Sequence, residues 1–400
     1  MSKAVREPYI VRSVVHASQI LGVFTSPGEV LRLRDVVQRT GFGKGLCFRL
    51  LHTLHHCGML EKVDESRYRI VSELRRRRRR YRIGYAGQGQ DSSFPREVQA
   101  SLQRAAERED VELIVIDNRY QPKVALRNAE HLIKERVDLV IEFQTDEAVA
   151  PAIASKYLEA NVPLIAIDIP HPGATYFGAN NYQAGLLAGR HLGQWARSRW
   201  AGDVGEVLLL ELARAGTLVH ARMGGVRTGL REMLHDSIDA CPVVSLDGDG
   251  QFKTALEKVR RHVRESKARH VLVAAANDPS ALGAARAFQE AGRADTCAVV
   301  GQNAEADARA ELREPRTPLI ASVGFFPERY GDGLIKLALD ILGHRPTPPA
   351  LFTRHQLITT ENVDHFYPND SLLGPVMPVP ATARTDRPNP RSSPVPLRPA

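Results

Sequence analysis

Six consecutive arginines, Arg75 to Arg80, stand directly before a strand-like run, YRIGYAG. Guanidinium groups at that density can lie along phosphates and raise affinity by counterion release without reading a base sequence. The same run also fits a solvated, self-repelling spacer between domains. Arg75, Arg76, Arg77 and Arg78 are the candidate phosphate contacts. Upstream, Lys44, Arg49, His52 and His55 lie on a helical stretch where they remain available to a groove or to water, and Arg67 lies in a short alternating segment after it. Such cations either reach acceptors in a nucleic-acid groove or form an ordinary solvated helix face. His52, His55, His56 and Cys57 bring metal-binding side chains close in sequence, but no further carboxylate or thiol completes a ligand set. The chain has no supported Ser/His/Asp constellation and no GxxxxGK[ST] phosphate loop. The expectation is therefore no metal, no cofactor and no enzyme.

The elements that must carry these residues follow from periodicity. VRSVVHASQILGVF (11–24) repeats apolar side chains at helical spacing, SPGEV breaks the pattern, and LRLRDVVQRTG (31–41) resumes it up to Gly41. GKGLCFRLLHTLHHCGML (43–60) gives a further amphipathic helix, with Leu50, Leu51, Leu54 and Met59 toward the core. EKVDESRYRI then alternates as a two-stranded hairpin that turns at Asp64–Ser66.

The formal net charge of +8 is uneven. Residues 1–82 hold 18 Lys and Arg against 7 Asp and Glu, and residues 376–400 hold 4 against 1, so the intervening body is net acidic. A basic head on an acidic body points to a polyanion partner for the head. Cys47, Cys57, Cys241 and Cys297 lie too far apart for a zinc pattern or a disulfide framework and read as reduced thiols. No leader-like opening and no apolar run of membrane-spanning length stands out, so the expectation is a cytoplasmic protein without a membrane partner.

From Tyr81 short apolar runs alternate with helical stretches. RIGYAG, VELIVID, VDLVIEF and VPLIAID make one series; GEVLLLEL, ACPVVSLDG, ARHVLVAAA and TCAVVGQ make a second. Strand–helix alternation gives parallel sheets with right-handed crossovers, so the fold class is α/β, with two doubly wound lobes and a cleft between them at the carboxyl ends of the strands. The expected division is a DNA-binding unit over 1–73, a polyarginine linker over 74–80, a ligand-binding body over 81–367 and a proline-rich tail without apolar period over 368–400.

Two resemblances sharpen this reading. The opening helix with its ILGVF end, LRDVVQRTGFGKG, FRLLHTL, Gly58-Met59-Leu60 and RYRI resemble the winged helix-turn-helix of the IclR-type transcriptional regulators. That resemblance implies operator DNA as partner, with the second helix of the motif in the major groove. Gly45 and Leu46 replace the small hydroxyl residues usual after the lysine in that family. GANNYQAGLLAG, ARMGGVRTGL, AANDPSALGAARAFQEAG, VVGQNAEA and IASVGFFPERYGDGLIKLALDIL resemble the successive signatures of type I periplasmic sugar-binding proteins, the fold also used by the lactose and galactose repressor family.

The second resemblance implies a sugar-like effector and a set of contacts. Phe94 would pack on a sugar face or serve as a core aromatic; Gln144 and Asp146 would sit in a contact loop; Asp168 would end a strand at the cleft. Asn180 and Asn181 start a helix as contacts or caps. Arg222 would fork hydrogen bonds to ring and hydroxyl oxygens, and Asn277 would contact ligand or cap a helix. Gln302 stands where an aspartate, and Phe325 where a glutamine, is common, which implies a less acidic and more aromatic site. The combined expectation is a homodimeric, ligand-responsive DNA-binding regulator, repressor included, with a solute-binding protein of transport or chemosensing as the alternative.

Overall fold

The computed structural model describes residues 10–26, 28–71, 80–144 and 146–370. Arg75 to Arg78 and the proline-rich segment from 371 onward lie outside them. Arg80, the last of the run, pairs with Asp110 at 3.5 Å.

The head comprises α1 (Arg12–Gly22), β1 (Val30–Arg32), α2 (Leu33–Thr40), α3 (Lys44–His56), β2 (Leu60–Lys62) and β3 (Arg67–Ile70). The sheet order is β1-β3-β2. The third strand differs from the expected two-stranded hairpin. Residues 31–32, read as helix, extend instead with Val30, because Leu31 turns inward between half-buried Val30 and exposed Arg32 and pairs with Tyr68. The Asp35 carboxylate then accepts the Arg32 N–H and starts α2 one step later. Ile20, Val36, Leu51, Leu54 and Leu60 form the core. Met59, expected there, is 36% exposed. Left-handed Gly58 ends the helical run, so the strand phase that follows turns Leu60 inward instead.

The body has two sheets. Lobe one runs β4 (Arg82–Gly87), α4 (Ser93–Arg108), β5 (Glu112–Asp117), α5 (Pro122–Lys134), β6 (Leu139–Glu142), α6 (Ala150–Glu159), β7 (Leu164–Ile167) and β8 (Thr175–Gly178). Lobe two runs α7 (Asn181–Trp200), β9 (Glu206–Glu211), α8 (Gly216–Leu234), β10 (Val243–Asp247), α9 (Phe252–Glu265), β11 (Val271–Ala275), α10 (Asp278–Glu290), β12 (Cys297–Asn303), α11 (Ala306–Leu312) and β13 (Leu319–Gly324). The chain returns to lobe one for α12 (Tyr330–Leu342) and β14 (Ala350–Phe352), then ends in lobe two with β15 (Gln356–Thr359) and α13 (Val363–Phe366). The orders are β14-β8-β7-β6-β4-β5 and β10-β9-β11-β12-β13-β15. Every neighbour pair is parallel except β13–β15. Three crossovers, at 179–180, 325–329 and 353–355, therefore join the lobes. Contacts continue past 367, where Asp370 accepts from Arg309 at 2.6 Å.

One polar group inside lobe one has a measurable consequence. Glu142 at the end of β6 is buried, accepts from Asn118 Nδ2 at 2.7 Å and from Tyr157 Oη at 3.5 Å, and burial pushes its carboxyl up to about 8. Because the folded state holds this proton more tightly than the unfolded chain, the contribution is favourable at acid pH and is lost as pH rises from about 4.5 to about 8. Glu142→Gln keeps a carbonyl acceptor for Asn118 without the charge. It is expected to flatten that slope and to be on the order of 3 kcal/mol more stable at pH 8 in denaturant titrations.

Candidate functional site

The cleft lies where the carboxyl ends of both sheets face each other. An inner cavity of about 70 Å³ is walled by Phe94, Phe143 and Tyr120 on one lobe, and by Arg222, Asn277, Asn303 and Glu305 on the other, with Asp168 reaching in from the end of β7. It opens into an outer chamber of about 560 Å³ between the start of α4 and α10, to which Ser93, Arg96 and Arg286 contribute.

Arg222 is placed by backbone packing. Gly185 and Gly189 on α7 face α8 so closely that a Cβ would fall 1.9 Å from the Arg222 carbonyl oxygen and 2.2 Å from that of Val226. Gly225 and Gly229 of α8 meet the α7 backbone in the same way. The arginine is 5% exposed. It donates from Nε to Asn181 Oδ1 and from Nη1 to the Ala276 carbonyl, and its guanidinium lies 5.0 Å above the Phe325 ring. Nη2 makes no hydrogen bond among the described residues, so one end of the fork is available. Burial lowers the arginine pKa, and the Asp168 charge opposes that shift.

Asp168 has φ of +58°, a conformation that aspartate tolerates better than most side chains. Its Oδ1 accepts the Ala179 N–H at 3.1 Å. Burial pushes its carboxyl up to about 6, against the pull of Arg222 and of that N–H. Asp168 belongs to lobe one and Arg222 to lobe two, so the pair spans the cleft.

The remaining expected residues divide clearly. Phe94 both lines the cavity and packs edge-on to Phe143, Phe325 and Tyr330, at centroid distances of 6.1, 6.4 and 5.8 Å. Asn277 lines the cavity while capping α10: its Oδ1 accepts the Ser280 N–H at 3.1 Å and its Nδ2 donates to the Gly250 carbonyl at 2.9 Å. Asn180 Oδ1 caps α7 through the Gln183 N–H, whereas Asn181 holds Arg222. Phe325 backs the arginine and lies outside the cavity lining. Gln144 and Asp146 also lie outside it. Gln144 Oε1 accepts the Asp146 N–H at 3.1 Å, and Asp146 caps the following turn at Ala148, so the contact loop closes on itself.

Gln302 is displaced from the cleft by strand alternation. It shares its face of β12 with Ala298 and Val300, is fully buried, and neither amide atom has a partner among the described residues. Asn303, one residue on, lines the cavity instead. Nor is the wall poor in acids. Glu305, not singled out in the sequence, accepts from Asn303 Nδ2 at 2.9 Å and from Ser93 Oγ at 3.1 Å, the latter bond joining the two lobes. Its N–H donates to Asp278 Oδ2 at 2.7 Å, and Ser322 donates to Asp278 Oδ1 at 2.6 Å. Burial raises both carboxyls, most strongly that of Asp278. His355, likewise unmarked in the sequence, sits in the third crossover. Its Nε2 accepts the Asn180 N–H at 2.9 Å from the first crossover and its ring packs 4.9 Å from Phe325 in the second. Burial and the Arg222 charge press its pKa down to about 4, which keeps that nitrogen an acceptor at neutral pH. Donors, acceptors and an aromatic wall together suit a small polyhydroxylated molecule.

A second feature lies on the head. Lys44, Phe48, Arg49 and His52 are exposed on α3, whereas Cys47, Leu51 and Leu54 are buried. Between α3, α2 and the β2–β3 hairpin is a hollow of about 610 Å³ lined by Arg32, Arg34, Lys44, Phe48 and Tyr68. Arg67 is held by Asp64 within the hairpin turn.

Comparison with known proteins places both parts. The periplasmic binding protein domain family matches residues 83–346, and the IclR helix-turn-helix domain family matches residues 13–64. The ribose import binding protein of Salmonella typhimurium is 23% identical over 243 residues, covering 60% of this chain and 77% of that protein. Among solved structures, a solute-binding protein of Mycobacterium smegmatis with bound glycerol superposes with a TM-score of 0.64 at 18% identity, covering 71% of this chain and 96% of that one. One from Bacillus halodurans with bound myo-inositol gives 0.62 at 20% identity, covering 72% and 97%. No helix among the described residues is long and apolar enough to cross a membrane.

Proposed function

Since the chain belongs to the periplasmic binding protein family and carries an IclR helix-turn-helix domain ahead of that body, we propose that it is a transcriptional regulator whose duplex affinity is set by a sugar or polyol held between the lobes. The observation that carries this reading is the presence, in one chain, of a cleft spanned by Asp168 and Arg222 and a helix that exposes Lys44, Arg49 and His52. Asp168 accepts hydroxyl hydrogens, the open end of the Arg222 fork donates to ring or hydroxyl oxygens, and Phe94 covers an apolar ring face. The glycerol and myo-inositol of the solved relatives and the ribose of the import protein name the chemical class to screen.

Ligand that touches both lobes favours their closed arrangement by the difference in its affinity for the two states, and by no more than that. The three crossovers transmit the change, with His355 touching both Asn180 and Phe325 where they converge. Two heads on a homodimer would read two half-sites, and their spacing is what lobe movement alters. A transport role leaves the helix-turn-helix unused. Work in the cytoplasm, where DNA is, follows from the same reading.

Its test is thermodynamic. A duplex selected from a randomised pool by the full chain should bind at least fivefold more tightly or more weakly when the body is saturated with the best binder from a sugar and polyol panel. Equal affinity with the cleft empty and filled would remove the regulator reading.

A further inference from the structure

We propose that Phe48 is a specificity residue that reads a thymine methyl group in the major groove, an inference that rests on the DNA-binding reading above. Phe48 lies in the second turn of α3 and is 52% exposed, on the flank of the buried stripe of Cys47, Leu51 and Leu54. An apolar ring held in water lowers its free energy only where something apolar comes to cover it.

The ring's surroundings identify that partner. Lys44 stands one turn before Phe48 and Arg49 beside it, Arg34 and Lys44 share its hollow, and the first turn of α3 holds no acidic residue. Three cations, Arg32, Arg34 and Lys44, stand around the hollow against one carboxylate, Glu65; a net cationic rim calls for a polyanion, and the ring within it calls for an apolar group on that polyanion. Among base edges exposed in the major groove, the C5-methyl of thymine is the apolar one; the other groups there are hydrogen-bond donors and acceptors.

The shape agrees. A Cβ built on Gly45, one turn before Arg49 on the same exposed face, would meet nothing within 4 Å. The start of the helix is therefore bare, the backbone can approach base edges closely, and Phe48 projects beyond it. Within the head, the ring contact recorded for Phe48 is a tilted one with exposed His52, at 6.3 Å between centroids.

The experiment alters the DNA before the protein. The full chain is used to select duplexes from a randomised pool, and each thymine of the winner is replaced in turn by deoxyuridine, which removes one methyl and leaves the pairing edge unchanged. For the parent chain, one or two positions per half-site should lose about fourfold in affinity, the effect of one methyl group. Phe48→Ala should bind the parent duplex more weakly and show no difference between thymine and uracil at those positions, whereas Arg49→Ala should bind weakly yet keep the difference. Restoring the methyl as 5-methylcytosine opposite guanine should recover part of the loss for the parent only. Uniform tolerance of uracil by the parent, or undiminished discrimination by Phe48→Ala, would overturn the assignment with DNA binding intact. If the pool yields no enriched duplex, DNA binding falls and the role of Phe48 falls with it.

Discussion

Arg222→Ala is expected to lose at least a hundredfold in affinity for any sugar or polyol that the parent binds, measured by calorimetry on the full chain. Two contributions combine. A charged donor at the inner end of the cleft is removed, and a hydrogen bond to a charged group contributes roughly 1.5–3 kcal/mol. Asn181 Oδ1 and the Ala276 carbonyl also lose their donor, and Asp168 loses the opposing charge that restrains its pKa. The second effect supplies an independent readout. With Arg222 present, the Asp168 carboxyl titrates at about 6, so affinity for a hydroxyl donor is full above that pH and declines below it. Without the arginine the midpoint must move upward, because burial is then opposed by the Ala179 N–H alone. Arg222→Lys keeps a cation but not the planar fork, and should retain the pH midpoint better than the affinity. A variant that kept its affinity, or lost it with no change in the pH profile, would place the ligand elsewhere.

Much of this architecture can be read from the sequence because it depends on local periodicity. Strands such as RIGYAG and VDLVIEF are buried on both faces and appear as unbroken apolar runs, and the helices between them carry one apolar stripe. The brief strands are harder: residues 30–32 and 350–352 extend because a partner strand lies alongside, which no local pattern records. Site residues separate along the same line. Arg222 follows from a motif, but Gln302 and Asn303 are neighbours whose roles depend on which face of β12 each one takes, and the alternation is visible only once the strand's inward face is fixed. Glu305 and Ser93 are more than two hundred positions apart, and His355 meets Asn180 and Phe325 only because three crossovers converge. Contacts between lobes are tertiary facts, and nothing short-range encodes them.

The glycines within GLLAG and GGVRTG, by contrast, carry a requirement the sequence displays without explaining. Gly185→Ala is expected to destabilise the body by about 3 kcal/mol or more, lowering Tm by roughly 10 °C, and to lose ligand affinity with it. The added methyl would stand 1.9 Å from the Arg222 carbonyl oxygen and 2.7 Å from its carbonyl carbon. These are backbone atoms, so no rotamer change relieves the clash, and α7 and α8 must separate. Separation carries the Arg222 side chain away from Asn181, its partner on the facing helix, so stability and binding should fail together. Gly224→Ala is the matched control on α8: a Cβ there meets nothing within 4 Å, and the helix interior should gain about 1 kcal/mol from alanine's higher propensity. Calorimetric Tm and effector affinity for the two variants decide the matter. If Gly185→Ala were as stable as Gly224→Ala, the close approach of the two helices could not be what fixes the arginine over the cleft.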